Sequence, residues 1–196
     1  MQTVIRPLLL AILLAGIATQ ASAKDWQADP SHTNVGFSVS HLFTSVQGRF
    51  QDFEASIVFD VDYPMKTVVK ATVQAASINT DNEKRDKHLR SRDFFDVEKY
   101  PTLSFESTEM KEWSGKKGKL AGNLTIHGVT KPVVFDVAFR GEGSDPWGNV
   151  RAGFRATLTI DRKDYGLNWN EVLETGGLLV GNEIEIRIDA EGILAE

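Results

Sequence analysis

Residues 152–160 read Ala152-Gly-Phe-Arg-Ala-Thr-Leu-Thr-Ile160. Ala152, Phe154, Ala156, Leu158 and Ile160 fall on one side of an extended chain, and Gly153, Arg155, Thr157 and Thr159 fall on the other. Alternation of this kind marks a half-buried β-strand, because successive side chains of a strand point to opposite faces. The same period recurs outward from this stretch. Towards the C-terminus it reappears at Ile184, Ile186 and Ile188. Towards the N-terminus it reappears at Val133-Phe135-Val137-Phe139, Leu120-Gly122-Leu124-Ile126, Leu103-Phe105 and Val69-Ala71-Val73-Ala75. Val46, Gly48 and Phe50 begin another run, and Phe53, Ala55, Ile57 and Phe59 continue it in the opposite parity. A parity change inside one run requires an extra residue, so a bulge is expected near Gln51-Asp52. Val35, Phe37 and Val39 complete a set of about eight strands. The stretches Ser114–Gly118, Gly128–Pro132 and Ser144–Gly148 read as the turns between them.

One segment departs from this period. Thr80-Asp81-Asn82-Glu83 fits a capping box with Thr80 as N-cap and Glu83 three residues on, so Lys84 to Ser91 is expected to be a short helix. Leu89 is its only large apolar residue, which suits a cap on one end of the sheet rather than a core helix. Antiparallel strands with one apolar stripe each, and no helices to cover an open face, leave a sandwich or a closed barrel. Closure removes exposed edges, so the expected fold is all-β: an eight-stranded antiparallel, lipocalin-like barrel with one short helix capping an end.

Composition narrows the function. The chain has 196 residues, 41% hydrophobic and 25% charged, a globular balance that suits one domain. The N-terminal stretch has a single charge, Arg6, then the apolar run Pro7–Ala18, then Ala21-Ser22-Ala23. A run this short falls below the roughly 20 residues that span a bilayer, and the small-x-small ending reads as a cleavage site. The expectation is a signal peptide over residues 1–23, a mature domain over 24–196 without a membrane span, and export to a periplasm. The net charge is −5 for the whole chain, and one unit more negative without Arg6. That opposes non-specific nucleic-acid binding. There is no cysteine, so disulfides, thiol nucleophiles and Cys-ligated zinc are excluded.

Chemistry-bearing patterns are sparse. His32, His41, His88 and His127 have no metal-ligand spacing, and there is no nucleophile elbow or phosphate-cradling glycine loop. No catalytic residue, metal ligand or cofactor is assigned. Instead the inward stripe mixes bulky aromatics with Gly48, Ala71, Gly122 and Ala156. This reads either as interdigitated packing or as a channel between aromatic walls. If a channel, its guest is greasy. The candidate lining is Phe37 and Val39, Phe50, Ala71, Leu103 and Phe105, Leu124, Phe135, then Phe154, Ala156 and Leu158, and Ile186. Phe94, Phe95, Trp169 and Leu178 are candidates for the mouth. Arg85, His88 and Arg92 share a helical face with Leu89 and are candidates for a polar head group, against the alternative of a solvated charged helix.

Several short marks carry a family resemblance. They are Asp29-Pro-Ser-His32, Val35-Gly-Phe-Ser-Val-Ser-His41, Gly48-Arg-Phe50 and Ser77-Ile-Asn-Thr80. The longest is Asp86-Lys-His-Leu-Arg-Ser-Arg-Asp-Phe-Phe-Asp96, followed by Tyr100-Pro101 and Phe105. Then come Gly122-Asn-Leu-Thr-Ile-His-Gly-Val-Thr-Lys131, Ile160-Asp-Arg162, Tyr165-Gly166 and Val180-Gly181-Asn182. In their order these resemble the YceI-like family of exported polyisoprenoid-binding proteins, from about Asp25 to Glu191. The resemblance implies a periplasmic barrel holding a polyprenyl phosphate, an isoprenoid quinone or another long-chain lipid, with no catalytic residues to carry over. An enzyme acting on such a lipid and a filled, ligand-free stress-related barrel are the alternatives, and a homodimer is compatible with the sequence.

Overall fold

Eight walls close on themselves in the structure, a computed structural model that describes residues 23–172 and 179–195. Residues 1–22 of the expected leader, and Leu178, lie outside the described residues. Three walls are each made of two strands in succession. They are β1 (Lys24–Ala28) with β2 (Asn34–His41), β3 (Thr44–Phe50) with β4 (Phe53–Phe59), and β5 (Val68–Gln74) with the two-residue β6 (Ile78–Asn79). The other five are β7 (Thr102–Ser114), β8 (Lys117–Ile126), β9 (Val129–Ser144), β10 (Val150–Asp161) and β11 (Val180–Leu194). Every pairing is antiparallel, and β11 closes the ring. Its first part pairs with β2, with Ile186 opposite Phe37, and its last residues pair with β1, with Leu194 opposite Trp26.

The interruptions in the walls have local causes. The break at Gln51-Asp52 lies where the parity of the sequence changes. The break between β1 and β2 is a turn in which Asp29 Oδ1 accepts from Ser31 N at 2.9 Å. β1 itself carries one buried apolar side chain, Trp26, among polar neighbours, so no periodicity announces it. Two expected turns are tighter than read. β8 and β9 are joined by His127-Gly128 alone, and Pro132 sits within β9 opposite Asn123. His127 and Gly128 both have positive φ, 51° and 74°, as a type I′ hairpin requires. The Tyr100 ring covers this turn, with its Cε1 2.5 Å from where a Cβ on Gly128 would stand. Between β7 and β8 the turn is only Gly115-Lys116.

The helix α1 (Glu83–Arg90) covers the expected stretch within one residue at each end, but Thr80 is not its cap. Its N-cap is Asn82, whose Oδ1 accepts from Arg85 N at 3.0 Å. Thr80 is drawn into the interior instead, because a buried carboxylate there needs its donors. Asp86 Oδ1 accepts from Thr80 N at 2.9 Å and from the Thr80 hydroxyl at 2.5 Å.

Two buried clusters stand at the two ends of the bore. Trp26, Ile57, Phe59, Phe139 and Ala152 pack near the rim that carries the β4–β5 and β9–β10 connections. Leu124, Ile126, Tyr165 and Leu167 pack near the other rim, with Phe95, Leu158 and Ile160 against them. The wall near the first rim is tied by Arg151, which bridges three carboxylates. Its Nε donates to Asp145 at 2.6 Å, and its Nη1 donates to Asp29 at 2.7 Å and Glu191 at 2.6 Å. The guanidinium holds the carboxyls of Asp29 and Asp145 well below the usual carboxylate range. A carboxyl depressed in the fold adds stability that is full above its unfolded pKa, about 4, and is lost as pH falls below it. The melting temperature is therefore expected to drop from about pH 4 towards pH 2. Arg151→Met should flatten that drop when melts are followed by circular dichroism, and parallel profiles for the two proteins would refute the assignment.

Candidate functional site

Between the two buried clusters the barrel holds a cavity of about 200 Å³. The stripes that face it are those whose period is two in the sequence. Phe37, Phe50, Ala71, Leu103, Phe105, Leu124, Phe135, Phe154, Ala156 and Ile186 line it, together with Val35, Ile57, Val69, Val73, Val137 and Ile188 of the same stripes. Its surface is almost wholly carbon. Thr33 and Thr67 are lining residues with hydroxyls, and both hydroxyls are engaged. Thr67 Oγ1 donates to Pro64 O at 2.6 Å and Thr33 Oγ1 to Glu191 O at 3.3 Å. Glu54, Ser104 and Arg155 border the cavity from positions of the outward parity, and Arg155 Nε donates outside to Asp189.

Five expected lining or mouth residues, Val39, Leu158, Phe94, Phe95 and Trp169, do not reach the cavity. Val39 pairs with Val46 and Ile184, beyond the last lining pair of β2. Leu158, opposite Ile186 on β11, packs into the cluster of Leu124, Ile126, Tyr165 and Leu167. Phe95 seals that end: its ring meets Phe50 edge-on with centroids 5.8 Å apart. Trp169 lies outside, against His88 at 4.8 Å and Phe94 at 5.1 Å between ring centroids. For Val39 and Leu158 the reason is length. A strand's stripe continues past the void into the plug, and parity alone does not say where the void stops.

Met110 and Trp113 are lining residues that the alternation misses. β7 carries register shifts at Ser107/Glu109 and at Met110/Glu112. The first shift moves the inward parity from Leu103-Phe105 to Met110, and the second returns it to the odd positions at Trp113, so the alternation is broken between Phe105 and Trp113. The signal available was a long strand with an apolar residue of each parity.

The proposed head-group face is mostly committed elsewhere. Arg85 donates Nε to Thr80 Oγ1 at 2.7 Å and Nη2 to Thr80 O at 2.8 Å. His88 Nε2 lies 2.9 Å from Asp93 Oδ2. Arg92 is exposed, outside the lining. The helix is thus a latch: Arg85 and Asp86 hold Thr80, and Arg90 donates to Ala76 O and Ile78 O, both at 2.7 Å. Arg162, almost fully buried, fastens the same end. Its Nε donates to Gly181 O at 2.8 Å and its Nη1 to Trp169 O at 2.9 Å, and burial pushes its pKa down.

A second cluster has metal-ligand residue types. One atom each from Asp29, His32 and Glu191 lies within 4.8 Å of the others. The Arg151 guanidinium already stands on both carboxylates, so the cluster is an ion-pair network with its own cation.

The family description YceI-like domain matches residues 26–192. A UPF0312 protein of Pseudomonas paraeruginosa is 41% identical over 179 residues, covering 90% of each chain. The crystal structure of the Campylobacter jejuni YceI protein superposes with a TM-score of 0.66 at 32% identity, covering 86% of this chain and 96% of that one. A polyisoprenoid binding domain from Saccharophagus degradans has the same fold, with a TM-score of 0.66 at 14% identity over 87% of this chain and 98% of that one.

The latch makes a testable demand. Thr80→Val removes the hydroxyl that serves both Asp86 and Arg85, leaving a buried carboxylate short of a donor. A loss of about 1–3 kcal/mol is expected in urea unfolding. A change below about 0.5 kcal/mol would show that the latch bonds do not matter to stability.

Proposed function

The chain belongs to the YceI-like family, and from that membership and the carbon-lined bore we propose that it binds a long isoprenoid chain and carries or stores it in water. The observation that carries this reading is the lining: a cavity walled by Phe, Leu, Ile, Val and Ala, with the hydroxyls of Thr33 and Thr67 spent on backbone carbonyls. Such a wall offers nothing to a sugar or a nucleotide. It offers a hydrocarbon contact along its length, and a charged or hydrogen-bonding head stays at a rim. The same lining supports binding rather than catalysis, since general acid–base chemistry needs a polar group within reach of the reacting atoms.

Magnitudes favour a chain over a small ring. Burial is worth about 0.8 kcal/mol per CH₂, so each five-carbon unit brings about 4 kcal/mol relative to water. Association costs roughly 4–15 kcal/mol, so a few units suffice to hold the guest against release into water. Relative to a bilayer the gain is small, because the acyl interior is as apolar as the bore. Loading and unloading at a membrane would then be nearly balanced, as a carrier needs. The sequence's leader supports an exported, periplasmic setting for this role. The Saccharophagus degradans neighbour, a polyisoprenoid binding domain, supports an isoprenoid guest.

Ala156 lies on β10 between Val137 and Ile188 and lines the cavity. Ala156→Phe should fill the bore from the wall. Lipid recovered from the protein after purification from its own host, measured by mass spectrometry, is expected to fall at least tenfold while the circular dichroism spectrum is retained. Undiminished lipid in the folded variant, or no lipid in the wild type under the same extraction and after addition of a quinone or a polyprenyl phosphate, would defeat the proposal.

A further inference from the structure

Three glycines occupy inward positions of the stripes: Gly48 on β3 and Gly118 and Gly122 on β8. Their neighbours on the same stripes, Phe50, Leu120 and Leu124, line the cavity, but these glycines do not. An aromatic ring from the adjacent strand lies over each. Phe37 of β2 covers Gly48, Trp113 of β7 covers Gly118, and Phe105 of β7 covers Gly122. The fit leaves no room for a methyl group. A Cβ on Gly48 would stand 2.3 Å from Phe37 Cζ and 2.7 Å from its Cε1. On Gly122 it would stand 2.5 Å from Phe105 Cε2 and Cζ, and on Gly118 2.7 Å from Trp113 Cε3. The three rings themselves line the cavity.

We infer that these glycines gauge the bore: each lets one ring lie back against the wall, and Gly48 in this way sets the girth of chain that the cavity admits. The inference rests on the proposed lipid-binding function and specifies its selectivity. Gly48 is the position where the effect is cleanest. At Gly122 and Gly118 an added methyl also meets backbone, Glu106 O at 2.6 Å and Glu112 O at 2.4 Å, so the strand itself would have to move. At Gly48 the close atoms belong to side chains, the Phe37 ring and Thr80 Cγ2 at 2.9 Å. Thr80 is fixed by Asp86 and Arg85, so the ring is what gives way. Along the wall Phe37 is hemmed by Phe50, with centroids 5.9 Å apart, and by its strand partner Ile186. The direction left open is the bore. An isoprenoid differs from a linear acyl chain in thickness, through its methyl branches, so a ring turned inward excludes the branched chain first.

The test uses geranylgeraniol and hexadecanol, a branched and a linear alcohol of equal backbone length, on the full mature protein. The wild type is expected to take up both. Gly48→Ala should bind geranylgeraniol about tenfold or more weakly, the scale of one methylene misfit in an apolar pocket, and keep hexadecanol within a few-fold. Gly48→Ala combined with Phe37→Leu should recover geranylgeraniol, because the displaced ring is gone. Equal binding of both alcohols by Gly48→Ala and wild type, or an equal loss of both that Phe37→Leu does not reverse, would overturn the inference. A crystal structure of ligand-free Gly48→Ala gives a readout independent of lipid: a Phe37 ring still flat against β3 would also overturn it. If Gly48→Ala does not fold, Phe37→Leu alone carries the test. It uncovers Gly48, and discrimination between the two alcohols should then shift towards the branched one; unchanged discrimination counts against the inference. Failure of the wild type to take up either alcohol would overturn the lipid-binding reading itself, which separates the two failures.

Discussion

The barrel depends on one long strand serving two shorter ones. β11 runs from Val180 to Leu194 and hydrogen-bonds β2 along its first part and β1 along its last residues. That double pairing is what turns a meander into a ring. Without it the first and last walls would both be edges, exposing unpaired N–H and C=O groups. It also forces the bend at Asp29–Thr33, since β1 and β2 must follow one partner while each begins its own pairing with β4 and β3. Arg151 sits where this bend, the end of β11 and the β9–β10 turn converge, and it binds a carboxylate from each.

Closure fixes the geometry of the interior. Eight walls leave a bore just wide enough for side chains or for one slender guest. In this protein buried clusters narrow the two ends and the middle is open. Aromatic packing around Phe59, Phe139 and Trp26 narrows one end, and Phe95, Tyr165 and Leu167 narrow the other. The middle stays open because glycine and alanine sit on the stripes there and because rings cover the glycines instead of crossing the bore. Empty apolar space has a cost, since its lining forfeits dispersion contacts that a packed core would have. An apolar guest of the kind proposed would restore them, and its occupancy would then be coupled to stability.

The segment from Ala75 to Tyr100 makes the wall beside β6 unlike the rest. β6 has two residues, so hydrogen bonding between strands stops early and side chains take over. Arg85, Asp86 and Arg90 then join α1 to the 76–80 stretch by charge-assisted bonds. These are local, water-sensitive contacts compared with a β-ladder. The Phe95–Phe50 contact is the only link in this region that touches the cavity lining directly among the aromatic pairs described.

The alternation of apolar residues determined which side is inward on the strands other than β1 and the shifted part of β7, and the parity change at Gln51-Asp52 located a real break. Those are properties of neighbouring residues on one chain, set by the pleat, so they were legible without coordinates. The family marks and the stripe sizes pointed to a barrel with an apolar interior for the same reason. What only the tertiary structure decided concerns relations between strands. Met110 turns inward because a first bulge against β8 resets β7, and a second restores the original parity at Trp113. Arg85 is committed because a backbone carbonyl and a hydroxyl of Thr80 come within its reach. Val39 and Leu158 belong to the stripes yet miss the void because the plug begins before the strand ends. Gly48 looks like a gap in the sequence and is a covered wall in the fold, since whether a glycine leaves space depends on the ring that the adjacent strand lays over it.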